Sequence, residues 1–537
     1  MKRCAAIVGL VCGLALAALG LPLQAASVSS APSKNVPWVP AATDADIDRA
    51  FTQARAAKKP VLMYWGATWC PPCNQLKATL FNRQDFAALS RSFVAVHVDG
   101  DRPGAQKLGQ RFKVSGYPTV VLFSGEGTEI TRLPGEVDAE QVMQVLQLGL
   151  SGGRPMAAVL ADARAGKPLP PNDWRMLAFY SWDTDEQQLV PKAEVPGLLA
   201  QLAHLANSAN SANLPATNPA AEAETTSRLW LKALASSDEG KGLKADAALS
   251  QRVQRVLADA AQSRLFMDVI SNGAVDIVRA LSADDSADRA PLLALYDTAL
   301  KRLEADATLS RGDRLGALVA RVRLARLTEP KDAVQVKLSA ALLADVREQV
   351  LRADREITDA YERQAVIPDA GYLLGLAGLW TESDALLKTN LKKSISPYYL
   401  MSQLGSNARK LGKKDEALRW YQQAFDKSVG PATRLQWGAS YLGALVDLSP
   451  RDVGRIERAS QQLIKEAARD TGAFEGRSLR SMQRVSTRLV SWNADGKQAA
   501  TLLRLQKRLD PVCAKADAAQ GQKAACLALL KPIAAKA

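Results

Sequence analysis

From Ser151 to Ala537 the chain carries a single period. Apolar residues recur at helical spacing, as in Leu292, Leu295, Tyr296, Leu300, Leu303 and in Leu315, Leu318, Val319, Val322, and no alternating strand pattern appears. Most of the 537 residues are thereby confined to helices packed on one another. The segment ahead of Ser151 behaves differently, with helix and strand signals in alternation, so an α/β unit precedes a long all-α region. A content of 47% hydrophobic and 23% charged residues excludes a disordered chain and a disulfide-stapled miniprotein.

In the α/β unit, residues 44–150, Ile47, Ala50, Phe51 and Ala54 mark a helix. Lys58-Lys59-Pro60 stops it, and Val61-Leu62-Met63-Tyr64-Trp65 follows as a buried strand. Cys70 to Leu80 predicts a second helix, Phe93 to Val98 a strand, and Ala105 to Phe112 a third helix. Thr119–Phe123 and Glu129–Leu133 form a hairpin across Gly125-Glu126-Gly127, and Asp138 and Gln141 suit the capping of a last helix. Residues 26–43, rich in proline and Ser/Thr-type residues, read as a linker.

Within the helical region, residues 151–537, the stretch 207–227 has only Leu214 as a large apolar residue and is expected to be a flexible loop. Leu404-Gly405, Ala417, Tyr421 and Ala424 resemble one tetratricopeptide repeat, with a degenerate second match through Gly375, Ala385 and Pro397. A solenoid similar to tetratricopeptide arrays is expected, with an irregular helical bundle as its alternative.

At the start, Met1-Lys2-Arg3, the uncharged run Cys4 to Gln24 and Ala25-Ala26 read as a secretory signal peptide, residues 1–25, with an uncleaved anchor as the other reading. No later run approaches the roughly 20 apolar residues a bilayer demands. The mature chain is expected to have no membrane span and to be periplasmic. Its net charge of +14 falls to +12 without Lys2 and Arg3. An exported chain is not expected to meet nucleic acid, so a basic balance means solubility or an acidic partner.

Removal of Cys4 and Cys12 leaves four cysteines, Cys70, Cys73, Cys513 and Cys526. Cys70 and Cys73 open a helix that follows a strand. Unsatisfied N–H groups and the positive end of the helix dipole lower the pKa of a thiol placed there and stabilise its thiolate. Cys70 is the expected nucleophile at the exposed helix edge, and Cys73, one turn on, the resolving thiol. Zinc would need two further ligands. His97, His204 and a distant cysteine pair supply them poorly, and no metal is assigned. His97 is expected to be a packed strand residue. Cys513 and Cys526 suit a structural disulfide between terminal helices, with a second redox pair as the alternative.

Pro60-Val61-Leu62, Trp69-Cys70-Pro71-Pro72-Cys73, Val96-x-Val98-Asp99 and Gly116-Tyr117-Pro118-Thr119 together resemble the thioredoxin fold. With the inserted Leu80 to Phe86, the unit looks most like the C-terminal thioredoxin domain of DsbD-type periplasmic thiol:disulfide interchange proteins. The resemblance implies a cis Pro118 facing the disulfide, backbone at Tyr117 that pairs with an extended substrate, and Trp69 shaping the landing surface. It implies client proteins with thiols or disulfides, a further redox partner that resets the pair, and no cofactor beyond the Cys70–Cys73 disulfide. Two residues depart from the family. Tyr64 stands where many thioredoxins bury a carboxylate, and Lys77, read as a mobile and solvated lysine, stands where DsbD-type domains carry an acidic residue. Both are expected to tune the thiol pKa.

Arg477, Arg480, Arg484 and Arg488 form a basic stripe opposite Leu479, Met482, Val485, Leu489 and Trp492. It fits an acidic protein partner or a solvated face. Two functions follow: a periplasmic thiol–disulfide oxidoreductase whose helices recruit partners or substrates, or a helical interaction scaffold with a weakly active, peptide-binding thioredoxin-like domain.

Overall fold

The computed structural model describes Ser33 and residues 35–531, except 136–137, 186–187, 212–218, 239, 242, 244, 331–332 and 519–520, and without side chains at 208–211 and 219–222. The expected signal peptide, residues 1–25, lies outside the described residues.

The α/β domain comprises β1 (Val39–Ala41), α1 (Asp44–Ala57), β2 (Val61–Gly66), α2 (Pro71–Leu76), α3 (Gln84–Leu89), β3 (Val94–Asp99), α4 (Ala105–Arg111), β4 (Thr119–Phe123), β5 (Glu129–Leu133) and α5 (Ala139–Leu150). The sheet order is β1-β3-β2-β4-β5. β1 and β2 run parallel to β3, and β4 runs antiparallel to β2 and to β5. Every residue of β2 is buried because both sheet faces are covered. Leu62 and Tyr64 face one core and Val61, Met63 and Trp65 the other, as the two-residue period of a strand requires.

The linker expected over residues 26–43 is corrected at its end. Val39–Ala41 pair with Val96–Val98, Val36 is buried, and Trp38 packs edge-on against Phe81. Pro40 is tolerated because β1 is an edge strand, where a missing N–H costs the ladder little. Thr43 then opens α1 with a reciprocal capping box to Asp46. Asp138 caps α5, but Gln141 does not complete its box; the Gln141 amide donates to Leu265 O at 2.8 Å.

Among the described residues about 20 helices follow, from Met156–Arg164 to Gln522–Leu527. None among the described residues is long and apolar enough to cross a membrane. The loop expected over 207–227 is corrected on both flanks, while its middle, 212–218, lies outside the described residues. The helix Val195–Ser211 runs into it from one side and Pro219–Ser236 begins within it, and the two helices pack together. Alanine propensity carries helix through a stretch poor in large apolar residues. Gly405 lies against the Tyr421 ring, where a Cβ would approach to 3.1 Å, and Ala417 and Ala424 are buried between the helices Pro397–Lys410 and Lys414–Lys427. Cys513 and Cys526 are joined in a disulfide with Cα atoms 5.3 Å apart.

The two regions share a core. The apolar cluster beneath Tyr64 and Leu122 continues through Val142 and Leu146 of α5 into Val159, Trp174, Leu177 and Leu202. The outer edge of β5 is covered from the helical side. Ser181 donates its N–H to Arg132 O, and the fully buried Arg132 guanidinium donates to Thr184 O and to Phe112 O and Lys113 O. Further along, the helix Ala360–Leu376 packs on α2 and the helix Gly476–Trp492 on α4.

Candidate active site

The β2–α2 connection delivers Cys70 to the helix N-terminus. Cys70 is the N-cap and Pro71 the first helical residue, where its missing N–H is no loss. The Cys73 N–H points at the Cys70 sulfur at 3.2 Å, and the two cysteines form a disulfide with Cα atoms 5.2 Å apart. Asn74, fully buried, donates from Nδ2 to Thr68 O at 2.9 Å and to Cys70 O at 2.8 Å, clamping the turn that presents the sulfurs. Across a shared cavity from Pro72 lies the loop Ser115–Pro118, in which the Tyr117–Pro118 peptide is cis.

Behind the disulfide the charges differ from expectation. Lys77 is not solvated: it is 4% exposed, and its ammonium lies 4.7 Å from the centre of the Tyr361 ring, a cation–π contact supplied by the helical region. Lys77 begins a π turn, Lys77–Phe81, that continues α2 into the core. Burial lowers its pKa to about 8, and Asp99 opposes that shift. Burial, with Asp101 nearby, raises the Asp99 carboxyl, while the Asp101 N–H and Lys77 pull it down. His97 is held neutral, its pKa lowered to about 3 by burial and by the Lys77 charge. It stacks on Tyr64 with ring centres 5.3 Å apart. The Tyr64 hydroxyl is buried and without a hydrogen-bond partner among the described residues, and burial raises its pKa.

A helix-capping cysteine pair, a cis-proline loop and a central sheet flanked by helices are thus held in one unit, and residues 47–149 match a family described as a thioredoxin-like domain. Residues 47–149 form a thioredoxin-like domain. Thiol:disulfide interchange protein DsbD 1 of Pseudomonas aeruginosa is 29% identical over 120 residues, covering 22% of this chain and 20% of that protein. The DsbD of Vibrio vulnificus YJ016 is 28% identical over 148 residues, 26% of this chain and 25% of its own length. The chain therefore spans about a fifth to a quarter of these relatives. A thioredoxin from Thermus thermophilus, solved in solution, aligns at 27% identity over 21% of this chain and 90% of its own, with a TM-score of 0.19.

The helical region completes the surface of the thioredoxin-like domain. The Trp69 indole donates to Asp101 Oδ2 at 2.8 Å, its ring stacks on Tyr399 at 6.0 Å, and its carbonyl accepts from Gln364 Nε2 at 2.9 Å. Asp101 Oδ1 accepts from Thr433 at 2.5 Å and Arg477 at 2.6 Å. The Arg477 guanidinium lies 5.0 Å from the Trp69 ring centre and 5.3 Å from that of Tyr117. Gln106 ties the pieces together, accepting from the Arg477 N–H and donating to the Tyr117 hydroxyl, each at 2.9 Å.

The basic stripe is thus not a solvated face in its first half. Arg477 meets its acidic partner, Asp101, within the same chain, Arg480 donates to Ser115 O at 2.8 Å, and only further along does Arg488 turn to Asp447. Nor is Cys70 at an exposed edge: it is 2% exposed and Cys73 fully buried. Asn74, Asp101, Gln106, Gln364, Tyr361, Tyr399 and Thr433 were not singled out by sequence. The arginine stripe was a signal only for Asp101, Gln106 and Thr433, which Arg477 meets.

Proposed function

We propose that this chain is a thiol–disulfide oxidoreductase. The observation that carries the reading is the Cys70–Cys73 disulfide at the start of α2, with the cis-Pro118 loop lining the same cavity as Pro72. In the reducing direction the Cys70 thiolate attacks one sulfur of a client disulfide. A Cys70–client disulfide forms, and the other client sulfur leaves as a thiolate. Cys73 then loses its proton and attacks Cys70, closing the Cys70–Cys73 disulfide and releasing the second client thiol. Two electrons pass to the client, and a separate redox partner returns them. Oxidation of a client dithiol is the same sequence reversed.

Tyr117 and Pro118 face the substrate in this reading, Trp69 of the expected landing surface being covered by Tyr399, Gln364 and Arg477, and Lys77 and Tyr64 set the electrostatics beneath the sulfurs. The relatives named as thiol:disulfide interchange proteins support clients that carry thiols or disulfides. The signal-like N-terminus supports a periplasmic location. The pairing of Gly405 with Tyr421 supports reading that helix pair as tetratricopeptide-like.

Burial of Cys70 favours one rival, a helical scaffold whose dithiol turns over poorly. Turnover of a small disulfide by the whole chain, driven by dithiothreitol, separates the two. Loss of turnover in Cys70→Ser is the expected result, and identical rates for wild type and variant would leave the scaffold.

A further inference from the structure

Within the oxidoreductase reading, on which the following rests, the helical region decides what reaches the dithiol. A protein client docks on a redox domain over a surface of about 800 Å² per partner. Here that surface is already occupied. Trp69 is held by Tyr399, Gln364 and Arg477, Tyr117 by Arg477 and Gln106, and the Ser115 carbonyl by Arg480. The contacts combine ion pairing, ring stacking and backbone hydrogen bonds, and they leave Cys70 2% exposed.

What stays open beside the motif is a cavity of about 470 Å³. Pro72, which stands between the two cysteines, and Ser115 to Pro118 form its domain side, neither cysteine itself lining it, and Trp182, Asp183, Lys232 and Asn272 form the facing wall. Sites for small molecules occupy about 300–1,000 Å³ and combine an apolar surface with a few placed polar groups. The wall supplies an indole, an amide and charges of both signs. The negative charge open to a ligand is the exposed Asp183, since both oxygens of Asp268 accept from the fully buried Arg228, at 3.1 and 2.6 Å.

We propose that this cavity admits a low-molecular-weight, zwitterionic disulfide or thiol derived from amino acids, and that the helical region excludes folded protein from the dithiol. The chemistry is the exchange given above. Cys70 forms a mixed disulfide with one half of the small molecule and expels the other half as a thiolate. Cys73 resolves it, and a dithiol reductant restores the pair.

The test uses the whole chain, dithiothreitol as reductant, glutathione disulfide as the small substrate, insulin as the protein substrate and Cys70→Ser as background. Glutathione disulfide should be reduced about tenfold faster than insulin or more, because protein access is limited to the fraction of chains with the helices displaced. Arg477→Ala should narrow that ratio by accelerating insulin reduction. Ser236→Trp, on the exposed rim of the cavity, should slow glutathione disulfide about tenfold without accelerating insulin. Equal rates on the two substrates in wild type, or a Ser236→Trp variant with unchanged glutathione disulfide turnover, would overturn the inference while leaving the oxidoreductase reading intact. Absence of Cys70-dependent turnover of either substrate would overturn that reading itself.

Discussion

Replacing Lys77 with methionine should stabilise the protein at neutral pH and stop doing so in alkali. The ammonium is 4% exposed, and burial has brought its pKa from 10.5 to about 8. Holding such a lysine charged costs the fold about 3 kcal/mol, at about 1.4 kcal/mol for each pH unit of displacement. The Tyr361 ring, 4.7 Å away, offsets part of this. A desolvated cation–π contact contributes about 1–2 kcal/mol, and Lys77→Met, which fills similar space, should therefore gain about 1–2 kcal/mol at pH 7. The pKa is lower in the folded than in the unfolded chain, so between about pH 8 and 10.5 the unfolded chain binds the extra proton. Wild-type stability must rise with pH across that window through this residue, whereas methionine contributes no slope. Urea denaturation followed by tryptophan fluorescence, repeated from about pH 7 to about pH 10.5, reads the difference directly. The two curves should converge as pH rises. A difference that stays constant across the window, or a variant less stable than wild type at pH 7, would refute a buried, charged Lys77 over Tyr361.

Cys73→Ser should accumulate a mixed disulfide on Cys70, visible by mass as an added thiol after exposure to glutathione disulfide, because the first attack survives and the resolving one is removed. The double variant Cys513→Ser, Cys526→Ser should lose about 3 kcal/mol of C-terminal stability in the chain-entropy picture and keep its turnover of a small disulfide; lost turnover with unchanged melting would point to relay between the pairs. Arg228→Met should destabilise by about 3–5 kcal/mol by leaving the largely buried Asp268 carboxylate unpaired, and adding Asp268→Leu should recover much of that in thermal melts.

The sheet was legible because its central strands are short apolar runs bounded by proline, glycine and charge, as Val61–Gly66 and Thr119–Phe123 are. β1 was not, because Pro37 and Pro40 carry the signal of a linker and an edge strand of 3 residues has too little pattern to oppose it. The helix ends within 207–227 were missed because counting large apolar residues undervalues alanine. At the site, Cys70, Cys73 and Pro118 lie in local motifs. Gln364 and Arg477, by contrast, reach their partners across 295 and 376 residues, and no spacing rule spans such distances. The arginine stripe declared a polar helix face but could not say what that face meets. Lys77 failed for a related reason: a lysine near the surface of its own domain becomes buried once another part of the chain is laid over it.

The bond between Asp101 and Arg477 also imposes an order on maturation. Ribosomes add about 5–20 residues each second, so the thioredoxin-like domain is complete for roughly 16–65 s before residue 477 exists. In that interval Trp69, Tyr117 and the dithiol have no lid. Electrons can enter or leave the sulfurs from any donor or acceptor of any size, and the closing of the helices ends that freedom. The nascent chain and the finished protein therefore present different redox surfaces to their surroundings, and the oxidation state held at closure is the one that macromolecular partners can no longer easily revise.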